Sequence, residues 1–356
     1  MRFAVLALCL LPTIATAQSR LASDEAALLQ AGLSATADAF ILPSYVAQAE
    51  AAANLTDGLA AFCTGSGPKD DVTDAYAALF LAWQRSSAVQ VGPIMEAEGP
   101  MRVQLWPDPK GFSRRAVRAA LLAEDPALLA DGGLEGRSIA LVNLTALEHL
   151  IYGDLTPQGY ACDLAIAITA FQQDLAAELL AAWQPDAEFR QAFDTALDGN
   201  EQYDNVDALI REFLAGLVVY TDRIRKFKIE RGLGPGKNAA RPERTEAAAS
   251  GQGLPSLLES HRALSDLYNV PGGFFDATSV ISGEKEHFVL GLTAANVANS
   301  LASETQSLTD IAAADGPAAA ELRRFGELMT YHEAFLKTGL AKSLGLTTGF
   351  TSADGD

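Results

Sequence analysis

The segment Leu144-Thr145-Ala146-Leu147-Glu148-His149-Leu150-Ile151 sets one carboxylate in an otherwise apolar run. Burying such a charge is costly unless it is paired or bound to a cation. Two explanations stand side by side. One of Arg85, Arg102 and Arg137 neutralises Glu148 as a structural ion pair, or Glu148 grips something that the protein binds. Thr145 lies one turn earlier on the same helical face. His149 lies about 100° further round, so it need not share that site.

Other candidate groups fall short of known catalytic patterns. His332-Glu333-Ala334-Phe335-Leu336 opens like a zinc-binding HExxH helix, but Leu336 stands where the second histidine belongs. Glu284 and His287 share a helical face and make half of a di-iron carboxylate site, with no second Glu-x-x-His to complete it. Gly232 to Lys237 has the glycines of a phosphate loop without its spacing, and Asn238 replaces the hydroxyl residue. No GxSxG elbow occurs.

The elements that must carry Glu148 are helices. Alanine and leucine dominate and β-branched residues are thin, a composition that favours helix. Periodicity predicts helices over 23–62 (bent at Pro43), 70–85, 138–152, 156–183, 186–197, 206–229, 250–268, 283–300 and 317–344. Residues 90–112 hold Pro93, Pro100, Pro107 and Pro109 and must be mostly irregular. Met101 and Trp106 within them favour an ordered, packed loop. No strand-like alternation of useful length appears. The expectation is an all-α protein of two helical-bundle domains with about four long helices each, over residues 18–185 and 186–356.

Residues 1–17 read as a signal peptide. Arg2 is the positive start, Phe3 to Leu11 the apolar run and Ala15-Thr16-Ala17 the small-residue cleavage site. The remaining chain is expected to be periplasmic or secreted, with no transmembrane segment after Gln18. The net charge of −19 argues against nucleic-acid partners and anionic membranes. In an exported chain, Cys63 and Cys162 are expected to form a disulfide.

Several segments together resemble the imelysin family. Thr145 to Glu148 followed by Leu150-Ile151-Tyr152-Gly153 is similar to that family's Gly-x-His-x-x-Glu segment and the apolar residues after it. Leu42-Pro43-Ser44-Tyr45, Trp83-Gln84-Arg85, Gly92-Pro93-Ile94, Arg102 to Phe112, Gly349-Phe350 and Asp354-Gly355-Asp356 resemble further family segments in the same order. Asn143 and Thr145 stand at the motif's glycine and histidine, while Glu148 is kept. Threonine is a poor zinc ligand, because its neutral hydroxyl binds weakly.

The resemblance implies an exported protein of two helical bundles with its site near the motif. The leading expectation is ligand or metal binding linked to iron uptake, with iron or another divalent metal as cofactor. An outer-membrane receptor or another iron-uptake component is the implied partner. Glu148 would be the polar centre and metal contact, lined or braced by Thr145, Trp83, Arg85, Trp106 and Asp108. The rival is a metal-dependent peptidase drawing ligands from Glu148, His149, His261, Glu284, His287 and His332. A third reading is a non-catalytic protein-docking scaffold.

Overall fold

The computed structural model describes residues 21–96, 99–153, 155–234, 236, 239–282 and 296–346. Among them there are helices and turns and no strand. The signal-peptide reading, the Glu284/His287 pair and the 349–356 ending lie outside the described residues.

The first helix, α1, runs unbroken over Ser23–Cys63. The bend expected at Pro43 is instead a wider turn within the helix, the π-helical stretch Ala37–Ile41. Proline has no N–H to give and its ring crowds the carbonyl four residues back. The widened turn just ahead of Pro43 accommodates both without ending the helix. Helix α2 follows over Lys69–Ser86, opened by Asp70 and Asp71 and closed by Arg85, as the helix dipole prefers. The proline-rich stretch then holds only a 3-10 turn at Gly92–Met95 and a five-residue helix at Gly99–Val103.

Helix α3 spans Phe112–Ala123, α4 Leu144–Ile151 and α5 Tyr160–Ala182. Helix α6 spans Val206–Asp222 and continues as a π-helical stretch over Arg223–Glu230. Helices α7 (Gly253–Tyr268), α8 (Phe274–Ser282) and α9 (Pro317–Ala334) complete the longer elements.

Two groups of helices form around α1. Its C-terminal half packs on α2 and α5, with α4 wedged against α2, α3 and α5. Its N-terminal half packs on α8 and on the short helix Glu188–Asp194. Helix α2 also packs on α7, and the stretch Arg223–Glu230 lies against α9 and α7. One connected apolar core runs from Ala26 to Leu346. Trp83, Trp183, Tyr45, Tyr76 and Phe213 are among its fully buried side chains, each worth roughly 1.5–3 kcal/mol by apolar burial. The Cys63–Cys162 disulfide ties the end of α1 to the start of α5, with Cα atoms 5.7 Å apart.

Two features of the helices bear on the sequence expectations. By length and composition alone, Ser23–Cys63 and Tyr160–Ala182 are apolar enough to cross a membrane. Alanine makes them so, and about half of each apolar window is buried inside the fold. The motif helix is also shorter than the expected 138–152, for a reason that belongs to the site.

Candidate functional site

Asn143 starts α4. Its side-chain Oδ1 accepts from the backbone N–H of Thr145 at 2.7 Å and of Ala146 at 3.2 Å. Satisfying those N–H groups is what an N-cap does, so residues 138–142 form turns instead of helix. Every residue of Leu144–Ile151 except His149 is buried. Thr145 donates its hydroxyl to the Leu105 carbonyl at 3.2 Å, which joins α4 to the proline-rich stretch.

Glu148 is 6 % exposed. Its Oε1 accepts from the Ser250 N–H at 2.9 Å and from the Ser250 hydroxyl at 2.8 Å. Arg85, Arg102 and Arg137 are engaged elsewhere. Arg85 pairs with Asp266 at 2.7 Å and Glu259 at 3.6 Å. Arg102 lies over the Phe171 ring and Arg137 donates to the Gly133 carbonyl. Burial pushes the Glu148 carboxyl up, the Ser250 hydrogen bonds pull it back in part, and the charge of Glu246 pushes it up again. The outcome is a raised pKa, that of a carboxylate held by dipoles instead of a cation. Tyr76 and Tyr152 also feel its charge.

Beside it runs a buried polar network. The Lys228 ammonium donates to Glu246 Oε2 at 2.5 Å, to Gln84 Oε1 at 2.8 Å and to Ser256 Oγ at 3.2 Å. Glu246 also accepts from Ser256 Oγ at 2.7 Å and from Gln104 Nε2 at 2.7 Å. Gln104 Oε1 in turn accepts from the Trp83 indole at 3.0 Å and from Gln84 at 3.2 Å. Burial alone would raise Glu246, but the Lys228 charge and these hydrogen bonds overcome it and hold the carboxyl below its ordinary range. Burial lowers Lys228 and the Glu246 charge opposes that, so the pair is a fully hydrogen-bonded lysine–carboxylate bridge, the condition under which a buried ion pair is tolerated.

A single segment, residues 245–252, serves both carboxylates: it carries Glu246 itself and offers Ser250 to Glu148. Within it Ala247 adopts φ +48°, a left-handed conformation that costs a non-glycine residue about 1 kcal/mol or more. A small cavity of about 10 Å³ opens next to the network, lined by Gln84, Trp106, Tyr220, Arg223, Lys228 and Glu246 among others.

The family model for imelysin (peptidase M75) matches residues 41–325. This chain belongs to the imelysin family. An imelysin-like protein from Psychrobacter arcticum 273-4 has a similar fold, with TM-score 0.73 and 18 % identity over 91 % of this chain and 98 % of that one. So does a Parabacteroides distasonis ATCC 8503 protein described as an iron-regulated protein A precursor. There the TM-score is 0.70 and the identity 12 % over 92 % and 97 % of the two chains. No curated protein matches the chain.

Against the imelysin pattern, the motif positions here have become structural. Asn143, at the motif's glycine, is the helix cap, and Thr145, at its histidine, fastens a loop. Glu148 alone keeps a side chain with chemistry to spare. Trp83 is fully buried and hydrogen-bonded to Gln104, so it supports the network from behind. Trp106 faces the cavity. Asp108 accepts from the N–H groups of Phe112 and Ser113 at 2.7 and 2.8 Å and so caps α3. Arg85, on its carboxylates and over the Phe40 ring, braces α2 against α7 and has no link to Glu148.

The three described histidines have surroundings of their own. Burial and Arg114 lower His149, with Asp108 opposing. His261 is buried edge-on to Phe325, and His332 is hydrogen-bonded to the Tyr268 hydroxyl. Among the described residues no three His, Cys, Asp or Glu side chains converge as a metal site would require.

Lys228, Glu246 and Ser250 were not singled out from sequence. Lys228 lies one turn after Ile224 and beside Ile229, so a lysine on an apolar helical face was its readable signal. Ser250 had none, since nothing local marks a serine that serves a carboxylate 102 residues away.

Proposed function

We propose that this imelysin-family protein is an exported binding protein for iron acquisition, holding a metal or a metal-bearing ligand at Glu148 in the periplasm. One observation carries the reading: Glu148 is a buried carboxylate whose hydrogen bonds come from Ser250 and whose pKa is raised, with no cation paired to it among the described residues. A protein keeps such a destabilised charge where the charge has work to do. The Parabacteroides neighbour described as iron-regulated supports the iron connection. The Cys63–Cys162 disulfide suits an oxidising compartment. An outer-membrane receptor or another uptake component is the proposed partner.

The test is direct binding of ferrous iron, ferric iron and haem to purified protein, wild type against Glu148→Ala. The expected result is saturable binding of one of them, weakened at least tenfold by the substitution, or about 1.4 kcal/mol. No binding by wild type, or equal binding by both proteins, removes Glu148 and the reading with it.

A further inference from the structure

The cavity beside Trp106 has a one-sided chemistry. The Trp106 indole N–H is buried and has no hydrogen-bond partner among the described residues. Arg223 lines the same cavity, half-buried, with no hydrogen bond or ion pair found for it among the described residues. The opposite charge acting on it is Glu246, whose oxygens are already taken by Lys228, Ser256 and Gln104. Arg231 stacks over the Trp106 ring at 5.8 Å, and its buried Nε–H is likewise unpartnered. These orphaned groups are all donors. In a chain with 45 acidic and 26 basic residues, two cations, Arg223 and Lys228, line this cavity with the one carboxylate of Glu246, and Arg231 beside Trp106 adds a third positive charge that also feels Asp108.

Leaving the buried donors of Trp106 and Arg231 unpaired is costly, and what would satisfy them is an acceptor. A guanidinium presents N–H groups in a planar fork that fits a carboxylate or a similar oxyanion. The volume of about 10 Å³ is near that of one water-sized group, so the cavity suits the head of a ligand and not its body. Arg223 also sits at the first position of the π-helical stretch Arg223–Glu230, a distortion found often at functional sites.

We propose that this cavity binds the oxyanion end of a small carboxylate ligand, held by Arg223 and the Trp106 indole N–H. The inference deepens the binding role proposed above and rests on it for its biological setting, but its chemistry is independent of Glu148. It gives the binding surface two poles, an acid at Glu148 and a base at Arg223, with the Lys228–Glu246 pair lining the cavity beside Arg223.

The experiment titrates the full-length protein with sodium formate, acetate and phosphate, against sodium chloride at equal ionic strength. Tryptophan fluorescence and thermal unfolding are the readouts. Formate or acetate is expected to give a saturable fluorescence change and a higher midpoint that chloride does not give. Affinity should fall at least tenfold in Arg223→Met and less in Arg223→Lys. Trp106→Phe should lose most of the fluorescence response and part of the affinity. Glu148→Gln should titrate like wild type, which separates this proposal from the iron reading. A saturable response to phosphate alone would keep the oxyanion site and make its ligand inorganic. No response beyond that to chloride, or equal affinity in Arg223→Met, overturns the proposal. Should Arg223→Met not fold, unchanged affinity in Trp106→Phe overturns it instead.

Discussion

At Glu148, stability and function pull in opposite directions. Its folded pKa is raised, chiefly by burial, from an ordinary value of 4.5. The native state therefore holds that proton more tightly than the unfolded chain does. The stability the group contributes is present below pH 4.5 and is lost as pH rises through the folded value. Glutamine has the same shape, lacks the charge, and keeps an oxygen for the two Ser250 donors. Glu148→Gln is therefore expected to unfold at a higher temperature than wild type at pH 7, with the two midpoints converging below pH 4.5. Thermal melts across that range check it, and a lower midpoint for the variant at pH 7 would mean the charge stabilises the fold. The residue itself was legible in sequence, because an acid inside Leu144–Ile151 breaks the apolar pattern. Its partner was not. Hydrogen bonds to a backbone N–H and a hydroxyl leave no mark on composition or spacing, so sequence offered only an arginine or a ligand as explanations.

At the scale of elements, helix existence was readable and helix ends were not. The periodicity over 23–62, 70–85, 206–229 and 250–268 corresponds to α1, α2, α6 with its π stretch, and α7. Helix α4 starts later than the predicted 138 because Asn143 caps it. Residues 245–249 have no period to read, and 250–252 fall within the predicted helix 250–268 although the helix starts at Gly253, yet this segment delivers both Glu246 and Ser250. Its placement depends on Gly253 at the first position of α7. A Cβ there would lie 2.6 Å from the Glu246 carbonyl oxygen and 3.1 Å from Leu308 Cβ. Backbone must move to relieve such a contact, at a typical overpacking cost of about 1–3 kcal/mol. Gly253→Ala is thus expected to lower stability by about that amount in urea denaturation. It should also weaken ligand binding, since the displaced segment carries the donors to Glu148. An alanine variant with wild-type stability and binding would show that this segment does not set the site.

Across the described residues, the helices are held by one apolar core and one covalent tie. The disulfide joins residues 99 apart in sequence, linking the far end of α1 to the start of α5. Those same two helices pack side by side, so the bond closes a contact that the fold already makes. Chain-entropy reasoning then places its effect in the unfolded state, at about 4–5 kcal/mol for a loop of this length. Cys63→Ala/Cys162→Ala is expected to lose most of that in equilibrium denaturation while keeping wild-type helical circular dichroism. Wild type under strong reductant should match the double variant. A loss below about 1 kcal/mol would mean that α1 and α5 stay associated in the unfolded chain and that the loop was never free. A larger loss, with the helical signal falling as well, would mean that the tie holds the native packing of α1 on α5. The two outcomes bear on the site as well, since α4 is wedged between α5 and α2. If the bond acts on the unfolded chain alone, ligand affinity at Glu148 is unchanged in the double variant. If it holds the native packing, affinity and stability fall together.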